Sequence, residues 1–586
     1  MCGIVAMFNP QDQISESNLQ KVTLRLNHRG PDAHGYKIYA NGRLGIGHTR
    51  LSLVDLSSKA DQPLEIDNYA ISFNGEIYNY KLLQKELLDA GFTFITTSDT
   101  EVIIRSVQHW GIDLALTKFN GCFTFILYDK TRKTLYVVRD PLGEKQIVYT
   151  QTAHGEWIFA SEVKALLTHP DVKKEPDLDR FTEQLMFNMY ADPDKTFFKN
   201  IQYIPAGNYF IFNILEDTPP KIIKYWDLDQ KIVKSYSEKN LEEISDELRS
   251  LLADAVQLRM QADCEVGAIL SGGLDSSFIT VLAASQHSLQ AFTAYYNQKQ
   301  NRDLKNARIV VKNNPEISLN EILSNHDSNY SDLLNITAIL EEPLYDKVGI
   351  AMERLYREVK NHKLKTVLNG QGSDEQWLGY LFVDPIFSLQ YNMYRKKNFG
   401  EYWYDSSYFS DYILDPSQIL KTKNIIDTTL KKCFFQYECD NHFDTLVRFG
   451  LKTHLASIFR MEDKFSMNNS VEVRLPYTDL RLVSLALSLK AKLKMHDKRE
   501  KYNLRRAAKD ILPSEIIKRK KQGFPHPPAT YDRIIEKNLN PSKKGRFKIV
   551  EEIFKNTNRY KFEQNLPIKE RWILKSIDIM EEVYFE

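Results

Sequence analysis

The second residue of the chain, Cys2, could act as a nucleophile. If the initiator Met1 is removed, the thiol and a free α-amine belong to the same residue. An α-amine has a pKa of about 8, so it can accept the thiol proton without a separate histidine. We therefore interpret His28 and His48 as structural residues and predict nucleophilic catalysis at the start of the chain.

Polar residues that could surround a substrate of this nucleophile occur within the next hundred positions. Asn74 and Gly75 follow a predicted strand at Tyr69–Phe73 as a turn, and they offer a side-chain amide and a backbone N–H side by side, as an oxyanion hole does. Arg50 could clamp a carboxylate, and Asp99 could accept an ammonium group. Taken singly, these residues are explained better by a turn and by surface ion pairs.

A loop rich in glycine and serine, Ser271–Ser277, follows a buried strand and opens a helix. Its backbone N–H groups at a helix N-terminus suit a polyanion, because paired glycines let the main chain approach phosphate closely. The loop lacks the Gly-Lys-Ser/Thr ending of the common phosphate loop. A second polar loop, Asn369–Glu375, also follows a strand and supports the same interpretation.

The elements around these motifs divide into two kinds. Roughly the first 200 residues are predicted as strands with short turns, including an antiparallel hairpin. Beyond about residue 240, buried strands alternate with amphipathic helices, which implies a parallel sheet covered by helices. From about residue 445 the pattern is mostly helical. The two predicted hairpin strands are Cys122–Tyr128 and Thr134–Val138. The predicted parallel strands are Val266–Leu270, Ala291–Tyr295 and Thr366–Leu368.

Length and composition exclude several classes of protein. The 586 residues predict two to four domains, at about 150 residues each. A net charge of +1 argues against a nucleic-acid-binding protein, and five cysteines indicate a reducing compartment rather than a disulfide framework. The start lacks a signal peptide, and the apolar stretch Leu482–Leu489 is too short to span a bilayer. We expect a cytoplasmic, multidomain protein with neither a membrane nor a nucleic-acid partner.

Several motifs of the first part resemble the class II glutamine amidotransferase family. The resemblance implies an N-terminal-nucleophile αββα sandwich, in which Cys2 attacks the side-chain amide of glutamine and releases ammonia. It also implies that Asn74 and Gly75 hold the oxyanion, and that the amino-acid end of glutamine is bound by Arg50, Glu76 and Asp99. The motifs are Met1–Ile4, His28–Asp32, His48–Leu51, Phe73–Asn79, Ser98–Glu101, Arg139–Gly143 and Phe159–Glu162.

The two polar loops of the second part resemble those of enzymes that split ATP into AMP and pyrophosphate. This resemblance implies that Asp275 and Asp374 bind Mg²⁺, which suits hard oxygen ligands, and that Lys501 stabilises the departing pyrophosphate. Met461–Lys464 and Ser470–Pro476 also resemble the helical region of these enzymes. The implied ATP-binding residues are Leu270, Ser271, Gly272, Gly273, Asp275, Ser276, Asn369 and Gly370.

Together the two parts resemble the glutamine-dependent asparagine synthetase family over nearly the whole chain. The resemblance implies a glutaminase domain at 1–210, a linker at 211–240 and an α/β ATP-pyrophosphatase domain with a helical C-terminal part at 241–586. It further implies ATP and Mg²⁺ as cofactors, glutamine and a carboxylate acceptor such as aspartate as substrates, an acyl-adenylate intermediate and an internal channel for ammonia. A homodimer is compatible with it.

Some residues depart from the family's pattern and bear on the acceptor. Gln371 stands where asparagine-forming members carry Glu, and a glutamine cannot act as a general base. The stretch Asn297–Asn314 is basic rather than acidic, and Glu144 and Gln146 replace the usual apolar and Pro residues. Amidation of aspartate is therefore the main hypothesis, and amidation of another small carboxylate is its alternative.

Three other hypotheses carry less support. Ring closure of the β-lactam synthetase kind is disfavoured, because those relatives have a disabled first domain and a Tyr where this chain has Gln371. The run Lys518–Lys521 could bind nucleic acid, but a single basic tetrad is a weak motif. Cys433, Cys439 and His442 suggest a metal site only faintly, since a fourth ligand and zinc-finger spacing are absent.

Overall fold

The computed structural model covers most of the chain, with gaps in the second half. The described residues are 2–187, 192–228, 239–285, 287–296, 301–324, 330–379, 404, 407, 409–410, 413, 415–433, 436, 442–489, 491–496, 499–521, 548–555 and 566–585. Parts of the predicted linker 211–240 and of the basic stretch 297–314 lie outside them, as does Cys439.

Seventeen strands form three sheets among the described residues. The first two sheets have six strands each, in the orders β10-β8-β9-β1-β3-β2 and β12-β11-β7-β6-β5-β4, and the third has the order β15-β14-β13-β16-β17. The strands are β1 Gly3–Phe8, β2 Ala33–Tyr39, β3 Leu44–Arg50, β4 Leu64–Ile66, β5 Tyr69–Ile77, β6 Gly121–Asp129, β7 Thr134–Arg139, β8 Val148–Gln151, β9 Trp157–Ala160, β10 Gln202–Tyr203, β11 Asn208–Asn213, β12 Lys221–Lys224, β13 Val266–Ile269, β14 Leu289–Tyr295, β15 Ile317–Leu323, β16 Thr366–Leu368 and β17 Glu472–Arg474.

Twenty α-helices cover these sheets in the part of the chain that the structure describes. They are α1 Glu16–Leu24, α2 Tyr80–Asp89, α3 Asp99–Lys118, α4 Val163–Leu166, α5 Leu178–Phe187, α6 Leu241–Arg259, α7 Leu274–Ala284, α8 Arg302–Lys312, α9 Tyr330–Leu340, α10 Val348–Asn361, α11 Ser373–Gln376, α12 Pro416–Cys433, α13 His442–Phe449, α14 Leu455–Asn468, α15 Leu480–Ser488, α16 Ala491–Lys494, α17 Tyr502–Ala507, α18 Ser514–Lys518, α19 Lys548–Phe554 and α20 Ile568–Tyr584.

The two antiparallel sheets of the first part pack face to face. Alternate residues of β1, such as Ile4 and Phe8, point toward the second sheet, where Ile126 and Val137 meet them in one buried cluster. The other residues of β1 point outward to helix α1, and the outer face of the second sheet packs on α2 and α3. Alternation along each strand thus buries both faces and produces the αββα sandwich, as the sequence predicts.

The second part is built on the five-stranded sheet, whose recorded pairings are all parallel. Helices α6 and α7 bury one face of this sheet, and α9, α10 and α14 bury the other. The predicted parallel α/β architecture is confirmed. Two strands that the sequence analysis did not recognise, β15 and β17, lie at the two edges of the sheet.

One predicted turn is wrong. Asn74 and Gly75 lie within β5, which continues to Ile77. The strand does not turn there because it stays paired with β6, and a Cβ at Gly75 would lie 2.1 Å from the carbonyl oxygen of Cys122. Gly75 has φ +148°, so glycine serves close strand approach here rather than a turn.

The second sheet continues past residue 210, where the sequence predicts the end of the first domain. Its strand β12 lies beyond that residue and pairs with β11.

Within the described residues, no helix is both long enough and apolar enough to cross a membrane.

Candidate functional site

Cys2 lies at the start of β1, at the centre of the first sheet, and exposes 8% of its surface. Its backbone N–H donates to Oδ1 of Asn74 at 2.9 Å. Burial raises the pKa of the thiol, whereas the amino terminus, the N–H of Leu51 and the charge of Arg50 lower it. The groups that favour a thiolate therefore converge on a thiol whose burial opposes ionisation.

The two ends of the Asn74 side-chain amide differ in their hydrogen bonding. Its Oδ1 accepts from Cys2, while its Nδ2 is buried and has no hydrogen-bond partner among the described residues. Buried polar groups in proteins are normally satisfied, so an unpaired donor beside a nucleophile needs an explanation. An oxyanion that forms at Cys2 would supply the missing acceptor.

A small pocket opens beside Cys2. It brings together the predicted residues Arg50, Gly75, Glu76 and Asp99. Five residues from four separate segments of the sequence therefore line one cavity. His48 lies buried nearby with Nε2 3.2 Å from the Phe73 carbonyl, and burial lowers its pKa to about 3, which fits a structural role.

The charged groups of this pocket are held by neighbours. Arg50 donates to the Ser57 carbonyl at 2.8 Å, to Asp61 at 2.6 Å and to the Asp55 carbonyl. These contacts fix the guanidinium and leave two of its five N–H donors for a ligand. Asp99 accepts from the Ile77 N–H at 2.9 Å. Burial raises the pKa of Asp99 to about 6 despite that hydrogen bond.

Glu76 is fixed from the second part of the chain. Arg474, at the end of β17, lies 3.2 Å from Glu76 and 2.6 Å from Glu472. Burial raises the pKa of Glu76 well above its usual value, Arg474 opposes the shift, and Glu472 and Asp99 add to it. The pocket around Cys2 is thus completed by an arginine of the parallel sheet.

The Ser271–Ser277 loop joins β13 to α7, as predicted. Gly272 has φ +67°, and a Cβ there would lie 2.5 Å from the backbone nitrogen of Ala307, so only glycine fits. The hydroxyls of Ser271 and Ser276 lie 3.0 Å apart across the loop. Leu270 is fully buried and its N–H donates to the Phe292 carbonyl, so it positions the loop from beneath.

The second polar loop lies against the first. A Cβ at Gly370 would come within 3.0 Å of the Ser276 nitrogen, and Oδ1 of Asn369 accepts from the Gly370 N–H at 2.7 Å. The hydroxyl of Ser373 donates to Asp275 at 2.8 Å. The two loops therefore form one site at the carboxyl edge of the parallel sheet, where open α/β folds bind their ligands.

Two carboxylates of this site converge on one ammonium group. Nζ of Lys501 lies 2.6 Å from both Asp275 and Asp374, and Nζ of Lys521 lies 2.6 Å from Asp374. Burial alone would raise the pKa of Asp374, but the two lysines lower it to about 2. The site holds ionised oxygens beside cations, a donor set that suits Mg²⁺ together with phosphate.

The sequence analysis missed two residues of this site. Arg519 donates to the Gly272 carbonyl at 2.8 Å, and Lys521 pairs with Asp374. Lys518 and Lys520, the other two members of the basic run, are exposed. The concentration of four basic residues in one short run was the available signal, and it does not distinguish the members that reach the loops from the exposed ones.

A buried ion pair joins the two sites. Arg29 donates to the Cys2 carbonyl at 3.0 Å and to Glu162 at 2.7 Å, and it contacts both oxygens of Asp463 in α14. Arg29 and Asp463 expose 0% and 4% of their side chains. The backbone of the candidate nucleophile is thus tied directly to a helix of the second part.

The described residues do not support the metal site suggested at Cys433, Cys439 and His442. Cys433 is buried in the apolar core, Cys439 lies outside the described residues, and of the side chain of His442 nothing is described. Within the described ranges no group of three or more His, Cys, Asp or Glu side chains could hold a metal ion. Asp275 and Asp374 offer two carboxylates, which is the smaller set that a phosphate-bound Mg²⁺ uses.

Comparison with protein families divides the chain in the same order as its two sites. Residues 1–226 match the glutamine amidotransferase domain family, and residues 247–554, more than half of the chain, match the asparagine synthase family.

Individual relatives agree with this division. The chain is 29% identical over 90% of its length to asparagine synthetase [glutamine-hydrolyzing] 1 of Bacillus subtilis, of which it covers 87%. It is 31% identical over 65% of its length to a putative asparagine synthetase [glutamine-hydrolyzing] 2 of Methanocaldococcus jannaschii, covering 76% of that protein. It is also 26% identical over 90% of its length to amidase chyE of Penicillium rubens, covering 89%.

Proposed function

Because the chain belongs to the asparagine synthase family and carries a glutamine amidotransferase domain, we propose that it is a glutamine-hydrolysing asparagine synthetase. The enzyme uses ATP to activate the side-chain carboxylate of aspartate and nitrogen from glutamine to amidate it, with AMP and pyrophosphate as products. The observation that carries the proposal is that one chain holds both the Cys2 pocket and the paired loops at Asp275 and Asp374.

The first half-reaction hydrolyses glutamine. The thiolate of Cys2 attacks the side-chain amide, and the α-amine exposed by removal of Met1 takes the thiol proton. The unpaired Nδ2 of Asn74 and the backbone at Gly75 stabilise the tetrahedral oxyanion. The adduct collapses as the C–N bond breaks, and the protonated α-amine returns its proton to the nitrogen, which leaves as ammonia. Water then hydrolyses the thioester and releases glutamate and the free thiol.

Charged residues of the pocket select the amino-acid end of glutamine. The Arg50 fork binds the α-carboxylate, and Asp99 accepts the α-ammonium group. Glu76 assists through its position opposite Asp99, where Arg474 holds it. An uncharged amide without an α-amino acid group lacks these contacts, so the pocket prefers glutamine to simple amides.

The second half-reaction activates the acceptor. The Ser271–Ser276 backbone binds the phosphates of ATP, with Asn369 and Gly370 beside it, and the acceptor carboxylate attacks the α-phosphorus. Asp275 and Asp374 would hold Mg²⁺, which would neutralise negative charge on the phosphates. Lys501 and Lys521 add two positive charges at the same place.

Ammonia passes between the two sites inside the protein. At neutral pH ammonia in water is mostly protonated and therefore not nucleophilic, which favours a closed route. The contact of Arg29 with Cys2 and Asp463 places helix α14 between the sites.

The proposal also includes the domain boundaries, the cytoplasmic location and the homodimeric state that the sequence predicts.

Another acceptor is the alternative. Gln371 cannot act as the base that asparagine-forming relatives have at this position. The similarity to a protein named an amidase, chyE, also allows a carboxylate other than aspartate. Both hypotheses share the glutaminase and the adenylation chemistry and differ only in the acceptor.

The test is a survey of acceptors. Purified enzyme receives ATP, Mg²⁺ and glutamine with one carboxylate at a time, and pyrophosphate, AMP and the amide product are measured. Aspartate-dependent release of pyrophosphate with equal amounts of asparagine supports the proposal. Release with another carboxylate but not with aspartate favours the alternative, and formation of ADP instead of AMP contradicts both.

A further inference from the structure

One buried carboxyl group of α14 has no role in the chemistry above. Glu462 exposes 3% of its surface. Its Oε1 accepts from Nδ2 of Asn369 at 2.7 Å and from the hydroxyl of Tyr356, whereas its Oε2 is buried without a hydrogen-bond partner among the described residues. A buried carboxyl oxygen without a partner needs an explanation, and a group that arrives during the reaction would supply one.

The position of Glu462 lies between the two sites. The next residue, Asp463, pairs with Arg29, which donates to the Cys2 carbonyl. Glu462 itself is bonded to Asn369, whose neighbour Gly370 packs against the Ser276 loop. Consecutive residues of α14 therefore contact the ammonia-forming site and the ATP-binding site.

The groups that face Glu462 come from several elements. Tyr356 of α10 and Asn369 after β16 donate hydrogen bonds to it. The charges of Glu144 and Lys145, which follow β7, shift its pKa. On α14 itself the flanking charges are engaged elsewhere, because Asp463 pairs with Arg29, Lys464 with Glu341 and Arg460 with Glu342.

These surroundings make Glu462 an unusually strong base for a carboxylate. Burial and the negative charge of Glu144 together raise its pKa to about 8, against the opposing charge of Lys145. A proton acceptor works best when its pKa lies near the operating pH. The ordinary glutamate pKa of about 4.3 would make a much weaker acceptor.

Amide formation requires such an acceptor, and Gln371 cannot provide it. We propose that the Glu462 carboxylate accepts the proton that ammonia loses as it attacks the acyl-adenylate. The inference rests on the proposed function for its adenylate intermediate, and it holds for whichever carboxylate is the acceptor.

Ammonia converts the acyl-adenylate to the amide by addition followed by elimination. The nitrogen lone pair forms a bond to the acyl carbon, and the carbonyl electrons move to oxygen to give a tetrahedral adduct with a positively charged nitrogen. Oε2 of Glu462 removes one proton from that nitrogen. The oxygen electrons return, the bond between the acyl carbon and the AMP oxygen breaks, and AMP leaves with the electron pair. Protonated Glu462 loses its proton to solvent before the next turnover.

The test uses Glu462→Gln in the full-length enzyme, with the acceptor that the pyrophosphate survey identifies. Hydroxylamine serves as the nitrogen source, because it is largely unprotonated at neutral pH and its own titration does not distort the profile. Three rates are compared: exchange of pyrophosphate into ATP, glutaminase turnover and hydroxamate formation. Glu353→Gln is the matched control, since Glu353 is also a buried carboxyl with a raised pKa but pairs with Arg357 at 3.3 Å.

We expect Glu462→Gln to lower hydroxamate formation by about 10²- to 10⁴-fold, the usual contribution of a general base, with exchange and glutaminase within about twofold of wild type. Wild-type hydroxamate formation should rise with pH and level off above about pH 8, and Glu462→Asp should restore part of the rate. An unchanged rate or profile in Glu462→Gln overturns the inference. Equal loss of exchange also overturns it, because the residue would then be structural. Failure of the proposed function is distinct, since wild type would then show no acceptor-dependent exchange with any carboxylate.

Discussion

Arg29 and Asp463 form a bidentate ion pair, with distances of 2.9 and 3.2 Å between the guanidinium nitrogens and the carboxylate oxygens. The pair is buried and joins the loop before β2 to helix α14. Because Arg29 also donates to the Cys2 carbonyl, the position of the nucleophile depends on this contact. Helix α14 therefore links the Cys2 pocket, through Arg29, to the loop that holds Asn369.

Removal of one partner tests that connection. Asp463→Ala leaves a buried guanidinium with Glu162 alone, so we expect the free energy of unfolding to fall by about 3–5 kcal/mol. We also expect more glutamate to be released per AMP formed, because Cys2 and α14 are no longer aligned. Denaturant unfolding and the ratio of glutamate to AMP measure the two effects.

An exposed ion pair between the same two parts of the chain provides the control. Lys365 lies 2.7 Å from Asp32, with 37% and 29% of the side chains exposed. Lys365→Met should cost about 0–1 kcal/mol and leave the product ratio unchanged. Equal effects of the two variants would show that burial of the Arg29 pair has no special consequence.

Cys2→Ala should abolish synthesis driven by glutamine and preserve synthesis driven by ammonium salts. Only the first site needs the thiol, while the loops at Ser271 and Asn369 do not contact it in the described structure. Product formation with each nitrogen source is the measurement. Cys264→Ala, at a partly exposed cysteine outside both loops, is the control and should retain both activities. Loss of both activities in Cys2→Ala would contradict the division of labour between the sites.

Local motifs made much of both sites predictable. Cys2, Asn74 and Asp99 were identified in the sequence because their motifs are short and resemble a family, and the structure places them around one nucleophile. The turn predicted at Asn74 and Gly75 is wrong, because the strand pairing that overrides it comes from residues almost fifty positions away. Propensity describes a segment alone, whereas pairing depends on its partner.

Long-range contacts explain what the sequence could not reveal. Lys521 reaches Asp374 across 147 positions, and no local pattern specifies such a contact. The basic run by itself therefore suggests only a weak nucleic-acid motif, and nothing local assigns Lys521 to the second site. Glu462 belongs to a helical motif of the sequence, but its burial and its contact with Asn369 arise only when α14 packs against the loop that follows β16.

Lys521 offers a test of the phosphate site with an internal control. Lys521→Gln removes a cation beside Asp374, so we expect the KM for ATP to rise by about 10- to 100-fold, which corresponds to about 1.5–3 kcal/mol for a charged hydrogen bond. Lys520→Gln changes the same net charge at an exposed neighbour and should leave KM unchanged. Initial rates of pyrophosphate release give both values. Equal effects would indicate general electrostatic attraction rather than a specific contact.

Asp374 and Lys501 should be required for adenylation alone. Asp374→Ala removes a proposed Mg²⁺ ligand and Lys501→Ala removes the cation between the carboxylates, so pyrophosphate release should stop in both. Glutaminase turnover should persist, because neither side chain lines the Cys2 pocket. Separate assays of glutamate and pyrophosphate check this. A parallel loss of glutaminase would mean that the variants disturb the whole fold.

The titration of Asp99 predicts how glutamine hydrolysis depends on pH. Burial raises the pKa of this carboxyl to about 6. Above that pH Asp99 is ionised and can bind the substrate ammonium, and below it the neutral form cannot. We expect kcat/KM for glutamine to fall about tenfold for each pH unit below 6, since this ratio reports the free enzyme. Asp99→Asn should weaken binding above pH 6, where the wild-type carboxylate is ionised, and should remove this acidic limb. An acidic limb that persists unchanged in Asp99→Asn would show that Asp99 does not carry the ammonium, because another group would then govern binding.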